Sequence, residues 1–234
     1  MDRSAIQKRR SELQQLGDRI KSYEQCFDQY LTPNSNLIIR VDGKAFHTYT
    51  RGMDKPFDIS LRDSMNYAAR ETASHMSGFK LAYGQSDEYT FLLNDLATHE
   101  TQGWFGYRLN KLVSVTASLF TGYFNEFIQT GKLAFFDARA FIVPEPDVPN
   151  VFVWRQRDWH RNSVSMYARS FFSHKQLMNK STSDIHEMLH MNDKNWAAIE
   201  NWQKNGSWIL PDKTIDHSVR DYEQIAELLG VENG

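Results

Sequence analysis

The chain carries a single cysteine, Cys26, in 234 residues. One thiol excludes an internal disulfide framework and a cysteine-based zinc site. Cys26 lies in the apolar run YEQCF with nothing nearby to lower its pKa, so a buried small hydrophobe is expected there rather than a nucleophile. Charge of one sign is also missing. Lys and Arg number 27 against 29 Asp and Glu, a formal net charge of −2, so affinity for phosphate has to come from local clusters. No stretch approaches the ~18 apolar residues of a membrane span, and the opening MDRSAIQKRR has no apolar signal region. The expectation is a cytoplasmic protein with no membrane partner. Repeats and low-complexity segments are absent from the sequence.

What is present is enough apolar matter for a sizeable core, 41% hydrophobic and 13% aromatic residues. Ile6, Leu13, Leu16, Ile20, Tyr23 and Phe27 recur with the period of one helix face, and TPNSN stops that helix. Leu37 to Val41 is a short β-branched run fit for a buried strand. KPFDISLRDSMNYAARETASHM predicts a helix with Asp58 or Ser60 as N-cap and Leu61, Met65, Ala68, Ala69, Thr72 and Met76 inward. FKLAYGQSDEYTFLL predicts two strands, Phe79 to Tyr83 and Tyr89 to Leu93, joined by a tight segment from Gly84 to Glu88. Helical spacing returns from Gly103 to Phe127, and KLAFFDARAFIV predicts a closing strand. The order β-α-β-β-α-β predicts an α+β, ferredoxin-like domain with both helices on one face of an antiparallel sheet. The prolines of PEPDVP mark a boundary, giving a catalytic domain over 1–150, N-terminal helix included, and a mainly helical extension over 151–234 packed on it.

The first strand ends in Asp42 and Gly43, and the hairpin carries Asp87 and Glu88. In this topology these ends can meet. Converging carboxylates repel one another unless cations intervene, and hard oxygen ligands suit Mg²⁺. Two such ions about 3.5 to 4 Å apart could serve a phosphoryl transfer. Gly43 would admit a phosphate close to the backbone, and its carbonyl could be a further ligand. Ordinary turn chemistry is the plainer explanation of each motif taken singly.

The blocks IIRVDGKAFHTYT, KPFD, AYGQSDEYTF, KLVSVTASLF, FDARAF, WRQRDWHRNS and NDKN stand in the order seen in the tRNA-histidine guanylyltransferase family and its reverse-polymerase branch. The resemblance covers about Leu37 to Trp208. It implies a polymerase-type palm that adds nucleotides to the 5′ end of tRNA in the 3′-to-5′ direction, with two Mg²⁺ ions, with GTP and ATP as substrates, and as a homotetramer, a dimer of dimers. Carried over, it implies metal ligation by Asp42, the Gly43 carbonyl and Asp87, with Glu88 supporting the cluster as a catalytic carboxylate. It implies nucleotide binding by Asp42, Gly43, Lys44, Ala45, Phe46, His47, Ser86 and Asp87, and by Lys55, Asp58, Arg108, Lys111 and Arg139. Phe46 could equally be a core aromatic, His47 a solvated loop residue, Asp58 a helix cap, and Arg108 with Lys111 a solvated basic face.

In the extension, Arg155, Arg157, His160, Arg161 and Arg169 crowd one helix among Trp154, Trp159 and Tyr167. Arg157 and Arg161 are like charges at i and i+4, which RNA phosphate would compensate; Asp158 offers an internal alternative. RNA binding is therefore expected of Arg157, His160, Arg161 and Asn162, and the resemblance implies it of Lys194 in NDKN. Eukaryotic relatives read His-Ile-Asn-Asn-Leu-Tyr-Asn where this chain has His160, Arg161, Asn162, Ser163 and Val164. That departure resembles the bacterial and archaeal branch and implies template-dependent repair of 5′-truncated tRNA; the alternative is one non-templated guanosine added to histidine tRNA. The rivals are another palm enzyme such as a cyclase or forward polymerase, a non-catalytic RNA-binding ferredoxin-like module, and a metal-stabilised structural protein.

Overall fold

The computed structural model describes residues 3–94 and 103–230. In chain order the elements are α1 (Arg3–Gln25), β1 (Asn36–Gly43), α2 (Phe46–Tyr49), α3 (Ile59–Ser74), β2 (Phe79–Gln85), β3 (Glu88–Leu93), α4 (Leu109–Phe127), β4 (Phe136–Val143), α5 (Val148–Ala168), α6 (His174–Leu177), α7 (Thr182–His190), α8 (Asn201–Asn205), β5 (Ser207–Ile209), β6 (Ile215–Asp216) and α9 (Tyr222–Leu229). The strands form one antiparallel sheet in the order β4-β1-β3-β2-β5-β6. Its first four strands are the ferredoxin-like 4-1-3-2 arrangement, so the expected α+β class holds.

Period-two alternation sorts the two faces. Leu37, Ile39 and Val41 of β1 join Phe91 and Leu93 of β3, Met65, Ala68 and Ala69 of α3, and Leu112, Phe120 and Phe124 of α4 in one buried cluster. Ile38, Leu81, Tyr83 and Leu92 point the other way, against Phe152 of α5, Trp208 of β5 and Ile225 of α9. The segment from 151 onward therefore does more than pack on a finished domain. It supplies β5, which pairs with β2, and the second apolar layer.

Two local expectations change, and one apolar face is left uncovered. The hairpin turn is shorter than the sequence suggests, because Gly84 and Gln85 pair with Tyr89 and Glu88, leaving Ser86 and Asp87 as the tip. Within that strand position 84 is glycine for a steric reason: a Cβ there would overlap the Tyr89 ring. The apolar stripe of α1 meets no core. Ile6, Leu13, Leu16, Ile20, Tyr23 and Phe27 are all exposed within this chain. Cys26 follows that helix and is exposed with it, so the expected burial of the thiol is overturned. Among the described residues no helix is long and apolar enough to cross a membrane.

Candidate active site

Asp42 is the penultimate residue of β1 and stands opposite Glu88 of β3. The Gly43 N–H donates to the Asp87 carbonyl at 3.0 Å, which ties the end of β1 to the hairpin tip. The expected meeting of the two strand ends is thus present. Burial pushes the Asp87 carboxyl above the ordinary carboxylate range, and the Asp42 charge pushes the same way, against hydrogen bonds such as that from Ser86 Oγ at 2.8 Å. Ser86 holds φ 52 and Ala45 φ 56, left-handed values that cost a non-glycine residue about 1 kcal/mol or more. Both strained positions flank the carboxylates.

Glu88 is engaged differently. Its two oxygens accept from Arg155 at 2.6 and 2.9 Å, so beside Asp42 it stands as the partner of an α5 arginine rather than as a free carboxylate of the expected cluster. Among the described residues no three His, Cys, Asp or Glu side chains gather into a metal-binding group. The remaining donors, two carboxylates and the Gly43 carbonyl, are hard oxygens, and a cation would relieve the raised Asp87. They fit Mg²⁺ with open positions left for phosphate oxygens.

The segment after β1 divides its work. The Phe46 ring is 4% exposed and packs on Tyr49, Phe124 and Phe136, so as a side chain it is core and not a nucleotide contact. A Cβ on Gly43 would overlap that same ring, which gives the glycine a packing reason besides any approach of phosphate. Lys44 and His47 are exposed. Asp58 caps α3, accepting from Leu61 N at 2.8 Å, while its other oxygen accepts from Asp54 N at 2.9 Å.

A cleft of about 550 Å³ opens beside the tip, lined by the expected His47, Lys55, Asp58 and Ser86. It is also lined by Arg62, Asn66, Gln85, Trp159, Arg169 and Trp202, which the sequence reading did not assign to nucleotide. The Arg62 guanidinium lies 4.6 Å from the Trp202 ring centroid, and Phe57 touches both Trp159 and Trp202 edge-on at 6.2 and 5.8 Å. Flat aromatic walls with a few polar groups suit a planar base. Trp159 was legible only as one aromatic among arginines, and Trp202 carried no local signal.

Arg139 sits on β4 opposite Arg40, two residues beyond Asp137, the register partner of Asp42. By register it shares a sheet face with Asp42. Arg108 and Lys111 are not brought there within this chain. Arg108 pairs with Asp28 at 3.4 Å and with the Tyr30 hydroxyl at 2.8 Å, beside the start of β1. From there to Asp42 is roughly 20 Å of extended strand. The basic helix is also divided. Arg155 is buried, Arg161 pairs with Asp158, and Asn162 reaches Asp158 at 3.5 Å. His160 packs edge-on to Trp196 at 5.8 Å, its Nε2 is buried without a partner among the described residues, and burial holds its pKa below the usual value. Lys194 lies over the Phe171 ring at 5.1 Å. Arg157 is exposed and makes no ion pair among the described residues.

The family model for tRNAHis guanylyltransferase matches residues 17–144. The tRNA(His) guanylyltransferase of Schizosaccharomyces pombe is 37% identical over 154 residues, covering 62% of this chain and 56% of that protein, so the chain spans about half the length of that relative. A bacterial tRNA(His) guanylyltransferase-like protein solved in complex with ATP superposes with TM-score 0.87 at 37% identity, covering 91% of this chain and 98% of the other. A bacterial structure in complex with GTP gives 0.81 at 35%, covering 92% and 99%. Fold and matches together define a nucleotidyltransferase with a palm-like α+β architecture. The chain belongs to the tRNAHis guanylyltransferase family.

Proposed function

We propose that this protein adds nucleotides in the 3′-to-5′ direction to the 5′ end of tRNA, choosing each by pairing with the opposing strand. The observation that carries the reading is Asp42 and Asp87 meeting at two strand ends beside a cleft of about 550 Å³, in a chain that matches bacterial relatives solved with ATP and with GTP. Asp42, the Gly43 carbonyl and Asp87 would hold Mg²⁺. When bound, it lowers the pKa of an attacking hydroxyl and neutralises a leaving phosphate.

The remaining work falls to the chain. A 5′-monophosphate has a poor leaving group, so a nucleoside triphosphate first activates it: a 5′-phosphate oxygen bonds to its α-phosphorus and pyrophosphate leaves. The cleft receives that nucleotide, with Trp159 and Trp202 against the base and Lys55, Arg62 and Arg169 supplying positive charge. The 3′-hydroxyl oxygen of the incoming nucleotide then bonds to the 5′ phosphorus. The bond to the activating nucleotidyl group breaks, a nucleoside monophosphate leaves (pyrophosphate where the end is a 5′-triphosphate), and the hydroxyl proton passes to solvent. Catalysis of this kind is positional and electrostatic. The exposed α1 stripe supports self-association of the kind that the resemblance implies.

The test is a set of tRNAs lacking the 5′ nucleotide, with the opposing base varied through all four identities. The nucleotide incorporated should track the Watson–Crick partner, and fully paired tRNA should be a poor substrate. Guanosine added with equal efficiency whatever the opposing base, and to histidine tRNA alone, would establish the non-templated alternative. The RNA surface has its own check. Arg157→Glu should weaken tRNA binding and reduce the salt slope by about one or more, leaving GTP affinity unchanged; equal loss of both affinities would mean that the helix matters only for folding.

A further inference from the structure

Helix α5 carries two kinds of arginine. Arg157 and Arg161 face solvent, whereas Arg155 is 8% exposed and turns beneath the helix onto the sheet. Its Nε donates to Glu88 Oε1 at 2.6 Å and a terminal nitrogen donates to Oε2 at 2.9 Å, a fork-on-fork pair between groups 67 residues apart in the chain. Asp158 accepts from the same guanidinium at 3.3 Å. The Trp154 ring lies 4.6 Å from the Arg155 guanidinium carbon and 5.8 Å from that of Arg40, and Arg40 stands 4.0 Å from Glu88. Each Glu88 side-chain oxygen thus already accepts from Arg155. Yet Glu88 follows Asp87 directly and faces Asp42 across the ladder.

We infer that Arg155 is a positioning residue for nucleotide addition: by clamping Glu88 it fixes the hairpin tip that presents Asp87. The inference rests on the reading that Asp42 and Asp87 hold the cation. Its physical basis is that a half-buried carboxylate stripped of its partner is costly and seeks another cation. Without Arg155 Glu88 keeps only Arg40, 4.0 Å away and beyond hydrogen-bond reach, so the strained Ser86-Asp87 tip beside it loses the bidentate anchor that fixes its register. The clamp also sits on the helix whose outer face carries Arg157, so RNA held there and the carboxylate tip are joined through one rigid element.

The test titrates Mn²⁺, with no RNA present, into the full chain and into Arg155→Met, Arg155→Lys, Glu88→Gln and Asp42→Asn, alongside kcat and KM for nucleotide addition. Loss of an outer support of a metal site weakens metal binding by about 10-fold to 100-fold. Arg155→Met and Glu88→Gln should both fall in that range, with kcat reduced and KM for the nucleotide little changed, and Arg155→Lys should recover part of the loss. Should Glu88→Gln lose Mn²⁺ while Arg155→Met binds it as tightly as the parent or more so, Glu88 is a ligand and the inference is overturned. If Arg155→Met does not fold, Arg155→Lys decides, because parental Mn²⁺ affinity and kcat in that variant overturn the clamp. Asp42→Asn separates the two levels: unchanged Mn²⁺ binding there removes the cation reading itself, whatever Arg155 does.

Discussion

Asp42→Ala and Asp87→Ala are each expected to lose roughly a thousandfold or more of nucleotide addition, because each removes several kcal/mol of charge stabilisation in the transition state. The same variants should stay folded. Asp42 lies at a strand end and Asp87 at a hairpin tip, so neither truncation opens a cavity in the core. The sign of the stability change follows from Asp87. Burial raises its pKa, so once ionised at neutral pH the free carboxylate opposes folding. Removing it should leave the thermal midpoint in a chelator unchanged or higher. The checks are labelled GTP incorporation into 5′-truncated tRNA and thermal unfolding with and without Mg²⁺. Activity within about tenfold of the parent in either variant is too small a loss for a metal ligand and would refute the assignment.

Trp208→Ala is expected to be among the most destabilising single changes in the chain. The residue is fully buried and packs on Tyr83 at 4.6 Å and Phe152 at 5.7 Å between ring centroids, joining the sheet to α5. Truncating a buried tryptophan costs about 3 to 5 kcal/mol. The lower part of that range applies, since the Trp208 indole N–H is buried without a partner among the described residues and its removal relieves that cost. For a chain of this size the thermal midpoint should fall by about 10 °C. Trp208→Phe, which keeps the ring and drops the N–H, should recover most of it. A midpoint unchanged by Trp208→Ala would mean that 207–209 is a detachable strand, and that the domain ends near 150 in energy as well as in sequence.

That second experiment bears on a point where sequence reading reached its limit. The prolines of PEPDVP lie in the turn into α5 and at its first residues, and the boundary expected between 150 and 151 falls inside that helix, which starts at Val148. Nothing local in SWI, three residues of strand, signals that β5 pairs with β2, because a short strand beside an occupied sheet has no periodicity to read. The same holds for α1. Its apolar stripe has the right period, and period says only that one face is apolar, not that anything in this chain covers it.

By itself the sequence determined the ferredoxin-like order of strands and helices, a cap of α3 at Asp58 or Ser60, and the delivery of Asp42 and Asp87 to adjacent strand ends. These follow from alternation, helical spacing and turn chemistry, which act over a few residues. Only the tertiary structure decided what each polar group near that site is free to do. Glu88 is adjacent in sequence to Asp87 yet is held by Arg155, and Phe46 follows Gly43 closely yet turns into the core. Arg108 and Lys111 share a helix face yet stand at the far end of β1 from the carboxylates, while Trp202, with no motif around it, lines the cleft. A side chain's partner is set by which elements are packed together, and burial makes that choice costly to reverse, so it cannot be read from neighbours along the chain.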